Sequence, residues 1–246
     1  MGYFAPDSVI RRVHGERAVH LYGPRALLMQ AAHPVAVKGL LAHSSAIEEP
    51  YERLRRTAVV MDTIYFGTRA QADAVTKRVR AMHRRAGVDR SDLLMWVLYT
   101  LPDSAMVVYD RYVRRLDRAE RESLWEDYKV VGRLFGLRRA DMPKTYDDFV
   151  GYGQEMLVNG EIEVSDWARR RAREIVLEPP VPIKMRPLVE AANQITIDLL
   201  PPQIRRGYGF APVPGRGLAV RAGSEYVKRV LLPALPQRLR LVPSAQ

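Results

Sequence analysis

Residues 91–116, SDLLMWVLYTLPDSAMVVYDRYVRRL, decide the fold class of this chain. The segment LLMWVLYTL within it is apolar nearly all round a helix, and a helix of that kind is normally buried in the centre of a bundle. Asp89 and Ser91 are side chains of the type that cap a helix start. Pro102 is expected to interrupt the helix, with a second helix continuing in SAMVVYDRYVRRL. The pattern predicts a central helix with other helices packed around it.

Proline and glycine divide the rest of the first two-thirds of the chain into further helices. His33 precedes Pro34, and because a residue before proline avoids the helical region, a break is expected there, with Pro34 in the first turn of the next piece. Short strands around 161–164 have no sustained alternation to support them. The predicted helices are 25–32, a piece from Pro34, 50–66, 70–85 and 117–135.

The composition changes after about Leu177, where proline-rich connections separate short helices. We interpret this part as the irregular end of the same domain. The prediction is one all-α, multi-helix domain over 1–246, with a core at about 15–210 and a wrapping C-terminal segment at about 211–246.

The overall composition is that of a globular protein, with 47% apolar and 27% charged residues in 246. Cysteine is absent, which excludes disulfides, thiolate catalysis, zinc–thiolate sites and iron–sulfur clusters. No uninterrupted apolar run reaches the length of about 18 residues that a membrane-spanning helix needs. The N-terminus lacks the features of a signal peptide, so a cytoplasmic location is expected.

The charge balance is strongly basic, with 39 Lys and Arg against 28 Asp and Glu, a net charge of +11. Such a balance favours phosphates or anionic membrane surfaces. The arginines occur as short pairs separated by apolar residues at helical spacing, which is typical of solvated helix faces. We therefore expect no nucleic-acid role, while peripheral contact with a membrane remains an alternative.

The five histidines differ in their surroundings. His14 and His20 lie in a charged N-terminal stretch and are interpreted as surface or packing residues. His83 follows Val75 and Val79 at intervals of four, so its imidazole shares the apolar face of a helix. A core histidine bonded to a carbonyl fits this position, and so does an axial haem ligand.

A second group of polar residues lies in the sequence RLRRT. Arg53, Arg56 and Thr57 are three or four apart and share one helix surface. Guanidinium groups inside a protein need anions, such as haem propionates, a substrate carboxylate or a bound oxygen species. The alternative is a solvated basic face paired with Glu49 and Glu52.

His33 and His43 flank the kinked segment AHPVAVKGLLAHS and could line one cavity. With Glu48, Glu49 and His83 they could form a non-haem iron site of histidines and carboxylate. No HxH, HxxxH or ExxH spacing supports that site. The chain also has no G-x-S-x-G, no P-loop and no G-x-G-x-x-G motif, so nothing supports a serine hydrolase, an NTPase or a Rossmann enzyme.

The order of these segments resembles the MpaB-type oxygenase family, which includes the latex-clearing rubber oxygenases. The resemblance extends from about residue 15 to 210 and rests on the ordered set of motifs. These motifs are GPRALLMQAAHPVAVKGLLAHS, RLRRT, FGTRAQADAVTKRVRAMH and LLMWVLYTL.

The resemblance implies a mainly helical fold around haem b and an oxygen-dependent oxidation. It implies that His83 is the iron ligand, and that Arg53, Arg56 and Thr57 match the family's Arg-x-x-Lys-Thr element on the opposite side of the haem. Arg56 stands in place of the family's lysine. Because a guanidinium stays charged and is a poor iron ligand, we expect Arg56 to act as an electrostatic stabiliser.

Two departures from the family pattern concern the substrate pocket. Ser91 and Asp92 replace an Asp-Pro pair, and Leu98 stands where the family often has histidine. We therefore expect a small, hydrophobic organic substrate together with O₂, and not extracellular rubber. The remaining alternatives are a peroxidase-type haem enzyme, a haem sensor or carrier without turnover, and a basic helical nucleic-acid binder without cofactor.

Overall fold

The computed structural model describes residues 1–36, 50–178, 181–210 and 214–245, apart from the side chains at 50–54, 171–173, 175 and 216. This part of the chain is almost entirely helical and contains no strand, so the predicted all-α fold is confirmed. The α-helices are α1 (Val9–Gly15), α2 (Tyr22–Ala31), α3 (Pro50–Phe66), α4 (Arg69–Arg85), α5 (Ser91–Tyr112), α6 (Arg118–Phe135), α7 (Tyr146–Val158), α8 (Asp166–Leu177), α9 (Arg186–Leu199), α10 (Pro202–Gly207), α11 (Arg216–Tyr226), α12 (Leu232–Ala234) and α13 (Gln237–Arg240).

Helix α5 is the buried centre of the fold, as the sequence predicts. Trp96 and Tyr109 have almost no exposed surface. The expected interruption is wrong, because α5 continues through Pro102 without a break. Proline removes one backbone N–H donor from the helix. Here the buried residues before and after it keep the helix packed on most sides, so the lost hydrogen bond does not end it.

The start of α5 also differs from the prediction. Arg90 occupies the capping position, and no side chain caps the helix there. The guanidinium of Arg90 instead binds the carboxylate of Asp92, with 2.5 Å between Nη2 and Oδ2. Asp89 and Ser91 therefore do not cap this helix.

Other helix ends follow their sequence signals. The Thr68 side chain accepts a hydrogen bond from the Gln71 N–H, and Asp117 does the same for Glu120, so both α4 and α6 begin with a capping box. Gly136 ends α6 with φ of 106°, a conformation that favours glycine. The predicted bounds of these two helices, 70–85 and 117–135, are confirmed to within one residue.

Helices α2 and α5 run antiparallel and are joined by polar contacts. Arg25 lies near the start of α2 and binds Asp103 (Nη1 to Oδ2, 2.7 Å) and Ser104 (Nη1 to Oγ, 2.6 Å). Gln30, near the end of α2, donates to Thr100, which is earlier in α5 (2.9 Å). The end of α2 therefore lies beside the first half of α5.

The chain beyond residue 214 returns to the N-terminal helices. The Arg240 guanidinium binds the carboxylate of Glu16, with 2.9 Å from Nε to each carboxylate oxygen. The Val242 N–H donates to the carbonyl of Gly15 at 2.8 Å. Residues 161–164 have no regular structure, so the strands considered there do not form. The division into a core and a wrapping segment of one domain stays a prediction.

Paired arginines lie mainly on the surface, as their dispersed pattern predicts. Arg55 and Arg56 are exposed on α3, and Arg84 and Arg85 are exposed on α4. Within the described residues, no helix has both the length and the apolar character that crossing a bilayer requires.

Candidate functional site

Four helix ends lie at one end of the molecule, which we call the convergent end. The end of α2 lies beside the first half of α5, where the Trp96 indole N–H donates to the carbonyl of Met29 (3.2 Å) and Gln30 donates to Thr100 (2.9 Å). Helices α3 and α4 pack against each other and are joined by the short turn at Gly67 and Thr68, so the start of α3 lies beside the end of α4. Only residues 86–90 separate the end of α4 from the start of α5.

His83 lies in the last turn of α4, at the convergent end. It is seven residues beyond Thr76, almost two helical turns, so both side chains leave the helix in nearly the same direction. Ala72 and Thr76 are fully buried, which shows that this face of α4 is directed into the molecule. His83 is half-buried as a residue, and its Nδ1 atom is completely buried. The predicted placement of this imidazole on an inward-facing helix surface is confirmed.

The residues of the RLRRT element lie in the first half of α3. Arg56 and Thr57 are exposed, and four and eight residues after Arg56 the helix becomes half-buried at Val60 and fully buried at Ile64. Helix α3 therefore enters the core only towards its end. The side chain of Arg53 is outside the described residues. Because Arg53 and His83 are about equally distant from the turn at Gly67, their backbones lie at the same level of the α3–α4 pair.

His33 is buried and caps a new helical segment. Its Nδ1 accepts hydrogen bonds from the backbone N–H groups of Val35 (3.2 Å) and Ala36 (3.4 Å), at the start of the helical residues 34–36. The break between His33 and Pro34 is therefore confirmed. A neutral imidazole that accepts through Nδ1 carries its proton on Nε2, and this tautomer has no lone pair left for a metal ion.

The surroundings of His33 are charged. Burial lowers the pKa of His33, although the carboxylates of Glu161 and Asp92 act in the opposite direction. Asp92 is the second residue of α5, so the region of His33 and the region of His83 lie at the same end of the fold. His43, the second histidine of the kinked segment, falls outside the described residues.

The histidine and carboxylate side chains of this region can be compared with the protein ligands that non-haem iron and haem iron require. No cluster of three His, Asp or Glu side chains suited to a metal ion exists among the residues that the structure describes. The considered non-haem site also needs His43, Glu48 or Glu49, all outside the described residues. Haem requires less of the protein, because the porphyrin supplies four nitrogen ligands and one histidine suffices. A single inward-facing imidazole at His83 fits that requirement.

A second buried histidine, interpreted from the sequence as a surface or packing residue, packs in the core. His14 is fully buried in α1, and a hydrogen bond of 2.6 Å joins its Nε2 to the hydroxyl of Tyr128. Its ring stacks on Tyr65 with 4.1 Å between ring centroids, and the Tyr65 and Tyr128 hydroxyls are 3.0 Å apart. Burial lowers the pKa of His14 to about 3, so the ring is neutral. The apolar positions Ile10 and Val13 on the same short helix are the signal that predicts its packing role.

Arg25 was also missed as a structural residue. It is almost fully buried, and besides Asp103 and Ser104 it donates through Nε to the carbonyl of Leu199 at 2.8 Å. Its side chain therefore joins α2 to both α5 and α9. The only sequence signal is an arginine inside the apolar helix RALLMQAA, which must find acceptors if that helix is buried.

One known protein family matches most of the length of the chain. The family described as "ER-bound oxygenase mpaB/B'/Rubber oxygenase, catalytic domain" matches residues 11–229 of the 246. The chain belongs to this oxygenase family. The match confirms the resemblance predicted from the motif order, and it identifies the protein as an oxidoreductase of the oxygenase type. Neither curated proteins nor solved structures gave a match.

The family match extends from α1 into the helical turn that follows α11, so the convergent end of this MpaB/rubber-oxygenase chain lies entirely within it. His33, Arg56 and His83 are all inside the matched range. The residues to which the motif order directs attention are therefore part of the oxygenase domain.

Proposed function

We propose that this protein is a haem b-dependent oxygenase that uses O₂ to oxidise a small, hydrophobic organic molecule, with His83 as the iron ligand. The observation that carries the proposal is the position of His83: an inward-directed imidazole in the last turn of α4, with a buried Nδ1, at the end of the molecule that also holds the end of α2 and the starts of α3 and α5. The cysteine-free composition agrees with a reducing compartment, and we propose a cytoplasmic location.

Haem, when bound, supplies the oxygen activation. The contribution of His83 would be to hold the iron through an imidazole nitrogen and to set the orientation of the cofactor. Because α4 buries the same face two and three turns earlier, its packing fixes the direction in which the imidazole leaves the helix. No competing thiolate ligand exists, since the chain has no cysteine.

The start of α3 would supply positive charge beside the reacting oxygen or the cofactor. Arg56 carries a permanent charge that can stabilise a developing negative charge. Thr57 can donate one hydrogen bond from its hydroxyl. Arg53 lies at the level of His83 and would pair with a propionate. Because Arg56 and Thr57 are exposed, we propose that they lie at the opening through which the haem and the substrate would enter.

His33 and His43 would line the pocket without binding iron. His33 uses Nδ1 to cap the helical residues 34–36, so its role is to fix the course of the chain directly after α2. Leu98, which replaces a histidine common in the family, is buried in the core. An apolar side chain at this position agrees with a hydrophobic substrate.

The absorption spectrum of the purified protein is the first test. Protein expressed with iron and a haem precursor, or reconstituted with hemin, should show a Soret band typical of histidine-ligated haem b. Oxygen consumption with a panel of small hydrophobic compounds should then exceed any peroxide-dependent turnover. A protein that remains colourless after addition of hemin would refute the proposal. Haem binding without any turnover would indicate a sensor or carrier.

Arg56→Ala tests the role of the basic cluster. The variant should keep its Soret band and lose roughly 10²-fold in turnover, the effect expected for removal of one electrostatic stabiliser. Arg55→Ala is the matched control, because Arg55 is equally exposed but points about 100° away around the helix. Equal rates for Arg56→Ala and the wild type would make Arg56 part of the solvated basic face.

A further inference from the structure

The C-terminal helix α11 and the π-helical turn Val227–Leu231 that follows it carry an exposed apolar stripe. Leu218, Ala222, Tyr226 and Val230 are each four residues apart, so they follow one side of the helix. Leu218 is 75% exposed, Tyr226 60% and Val230 50%. Large apolar side chains scattered singly on a surface need no explanation, but four positions in register form a continuous surface.

The opposite side of the same segment is attached to the protein. Ser224 is buried, and the ammonium group of Lys228 donates to the backbone carbonyl of Asp110 in α5 at 2.9 Å. Val227 on the same segment packs against the buried cluster of Val108, Tyr112 and Leu199, so this side fixes the helix through both polar and apolar contacts. The stripe lies on the side directed away from α5, so its apolar side chains are additional to those that attach the helix.

The stripe is bordered by basic side chains. Arg221 and Arg229 each precede a stripe residue by one position and are exposed, and Arg229 forms an ion pair with Glu225 (2.7 Å). Among residues 214–246, six are Lys or Arg and one is acidic. Almost half of the protein's net charge of +11 therefore lies in this short C-terminal segment.

We propose that the apolar stripe Leu218–Ala222–Tyr226–Val230 and its arginine border dock on the surface of an anionic lipid bilayer. An apolar side with a basic border is the arrangement that lets a helix lie in the interfacial plane, with side chains inserted among the lipids and cations at the headgroups. The proposal concerns a different part of the molecule from His83 and does not depend on haem.

Two other occupants fit the surface less well. A symmetric dimer would place the same patch of each copy together, and the excess of positive charge on both patches would oppose contact. A nucleic acid would satisfy the arginines but would leave Leu218 and Val230 without an apolar partner. An anionic bilayer provides an apolar interior for the stripe and negatively charged headgroups for the arginines.

Co-sedimentation with lipid vesicles tests the proposal on the full chain. Vesicles of phosphatidylcholine with phosphatidylglycerol should bind the protein, and vesicles of phosphatidylcholine alone should bind it far more weakly. Raising the salt concentration from 0.1 to 1 M should release most of the bound protein, because the screening length falls from about 10 Å to about 3 Å.

Substitutions test the apolar stripe and its arginine border separately. Leu218→Gln should reduce the partition coefficient on the order of tenfold, because it removes one inserted apolar side chain. Arg221→Gln and Arg229→Gln should each reduce it roughly fivefold. Val158→Gln is the matched apolar control, because Val158 is as exposed as Leu218 but lies at the end of α7. Arg118→Gln, which breaks the exposed pair with Asp147, is the matched control for Arg229→Gln.

Three results would overturn the proposal. The first is failure of the wild type to bind anionic vesicles, or equal binding to neutral ones. The second is an equal loss of binding with Val158→Gln and Leu218→Gln. The third is a dimer in sedimentation velocity that Leu218→Gln dissociates, which would show that a second copy covers the stripe. Circular dichroism of each variant verifies that the helical fold is retained.

Discussion

His14 and His83 lie in two regions that give the imidazole different surroundings. His14 of α1 is enclosed in the middle of the bundle, where α6 contributes a hydrogen-bonding tyrosine and α3 a stacking tyrosine. His83 lies at the convergent end, in the last turn of its helix, with exposed arginines immediately after it. The first histidine links helices through its ring. The imidazole of His83 points into the molecule from the last turn of its helix.

The difference shows that burial alone does not mark a functional histidine. In the sequence, His14 lies among charged residues and looks less buried than His83, yet in the structure it is the more buried of the two. A ring held by hydrogen bonding and stacking within the core contributes to stability. The ring of His83, in the last turn of its helix, lies where we propose that a cofactor binds. The following substitutions test that contrast.

The largest expected effect is the loss of haem in His83→Ala. Even the loss of groups that only orient a metal ligand weakens metal binding by about 10–100-fold, so removal of the ligand itself should abolish stable haem binding. The measurement is the Soret absorbance after reconstitution with hemin and gel filtration. His20→Ala and His14→Phe should keep the band. A normal Soret band in His83→Ala, with its loss in His33→Ala or His43→Ala, would move the ligand to another histidine.

Arg25→Met tests the polar contact between α2 and α5 that positions the convergent end. Removal of one member of a buried ion pair leaves the partner carboxylate, here Asp103, without its cation, which costs about 3–5 kcal/mol. Asp103 is 23% exposed, so the lower part of this range is expected. Urea denaturation should show the loss of stability. Arg118→Gln breaks an exposed pair and should leave the midpoint unchanged; an equal loss in both variants would contradict a special role for Arg25.

A smaller loss is expected for His14→Phe, about 1–3 kcal/mol, because Tyr128 loses a buried hydrogen-bond partner. The pH dependence of the free energy of unfolding tests the protonation state of His14 more specifically. His14 has a pKa of about 3 when folded and 6.5 when unfolded, so between these values only the unfolded state binds the proton. Stability of the wild type therefore decreases as the pH falls below 6.5, by up to about 1.4 kcal/mol per pH unit.

The contribution of His14 can be isolated by difference. Burial raises the pKa of Asp127 to about 6, so this group makes the folded state more stable as the pH falls through the same region. Because Asp127 is present in both proteins, subtraction of the His14→Phe curve from the wild-type curve should leave the histidine alone. Parallel denaturation curves between pH 4 and 6.5 would show that His14 is protonated in the folded protein.

The fold was predictable from the sequence because helical periodicity and chain-breaking glycine act locally. The predicted helices 70–85 and 117–135 agree within one residue with α4 and α6, and Gly136 ends α6. Pro102 was misinterpreted because its effect depends on tertiary packing, which local rules omit. The buried contacts of Arg25 and His14 join residues far apart in the chain, so they could not be obtained from spacing.

The candidate site was predictable to a smaller extent. The motif order located His83 and the RLRRT element, and the helix period correctly placed His83 on the buried face of α4. The role of His33 could not be predicted, since it depends on a ring nitrogen accepting from the backbone two and three residues later. The relation of the α2 end to the α5 start likewise depends on pairing between distant segments.

His33→Ala has the smallest expected effect and separates the two histidines of the convergent end. His33 caps the helical residues 34–36 through Nδ1, and loss of a side-chain cap costs about 1 kcal/mol. The thermal midpoint should fall accordingly, while the Soret band remains. His33→Asn should recover most of the stability, because an asparagine oxygen accepts the same backbone hydrogen bonds. If His33→Asn lost haem as His83→Ala does, both histidines would be needed by the cofactor, and the assignment of His33 to a capping role alone would be wrong.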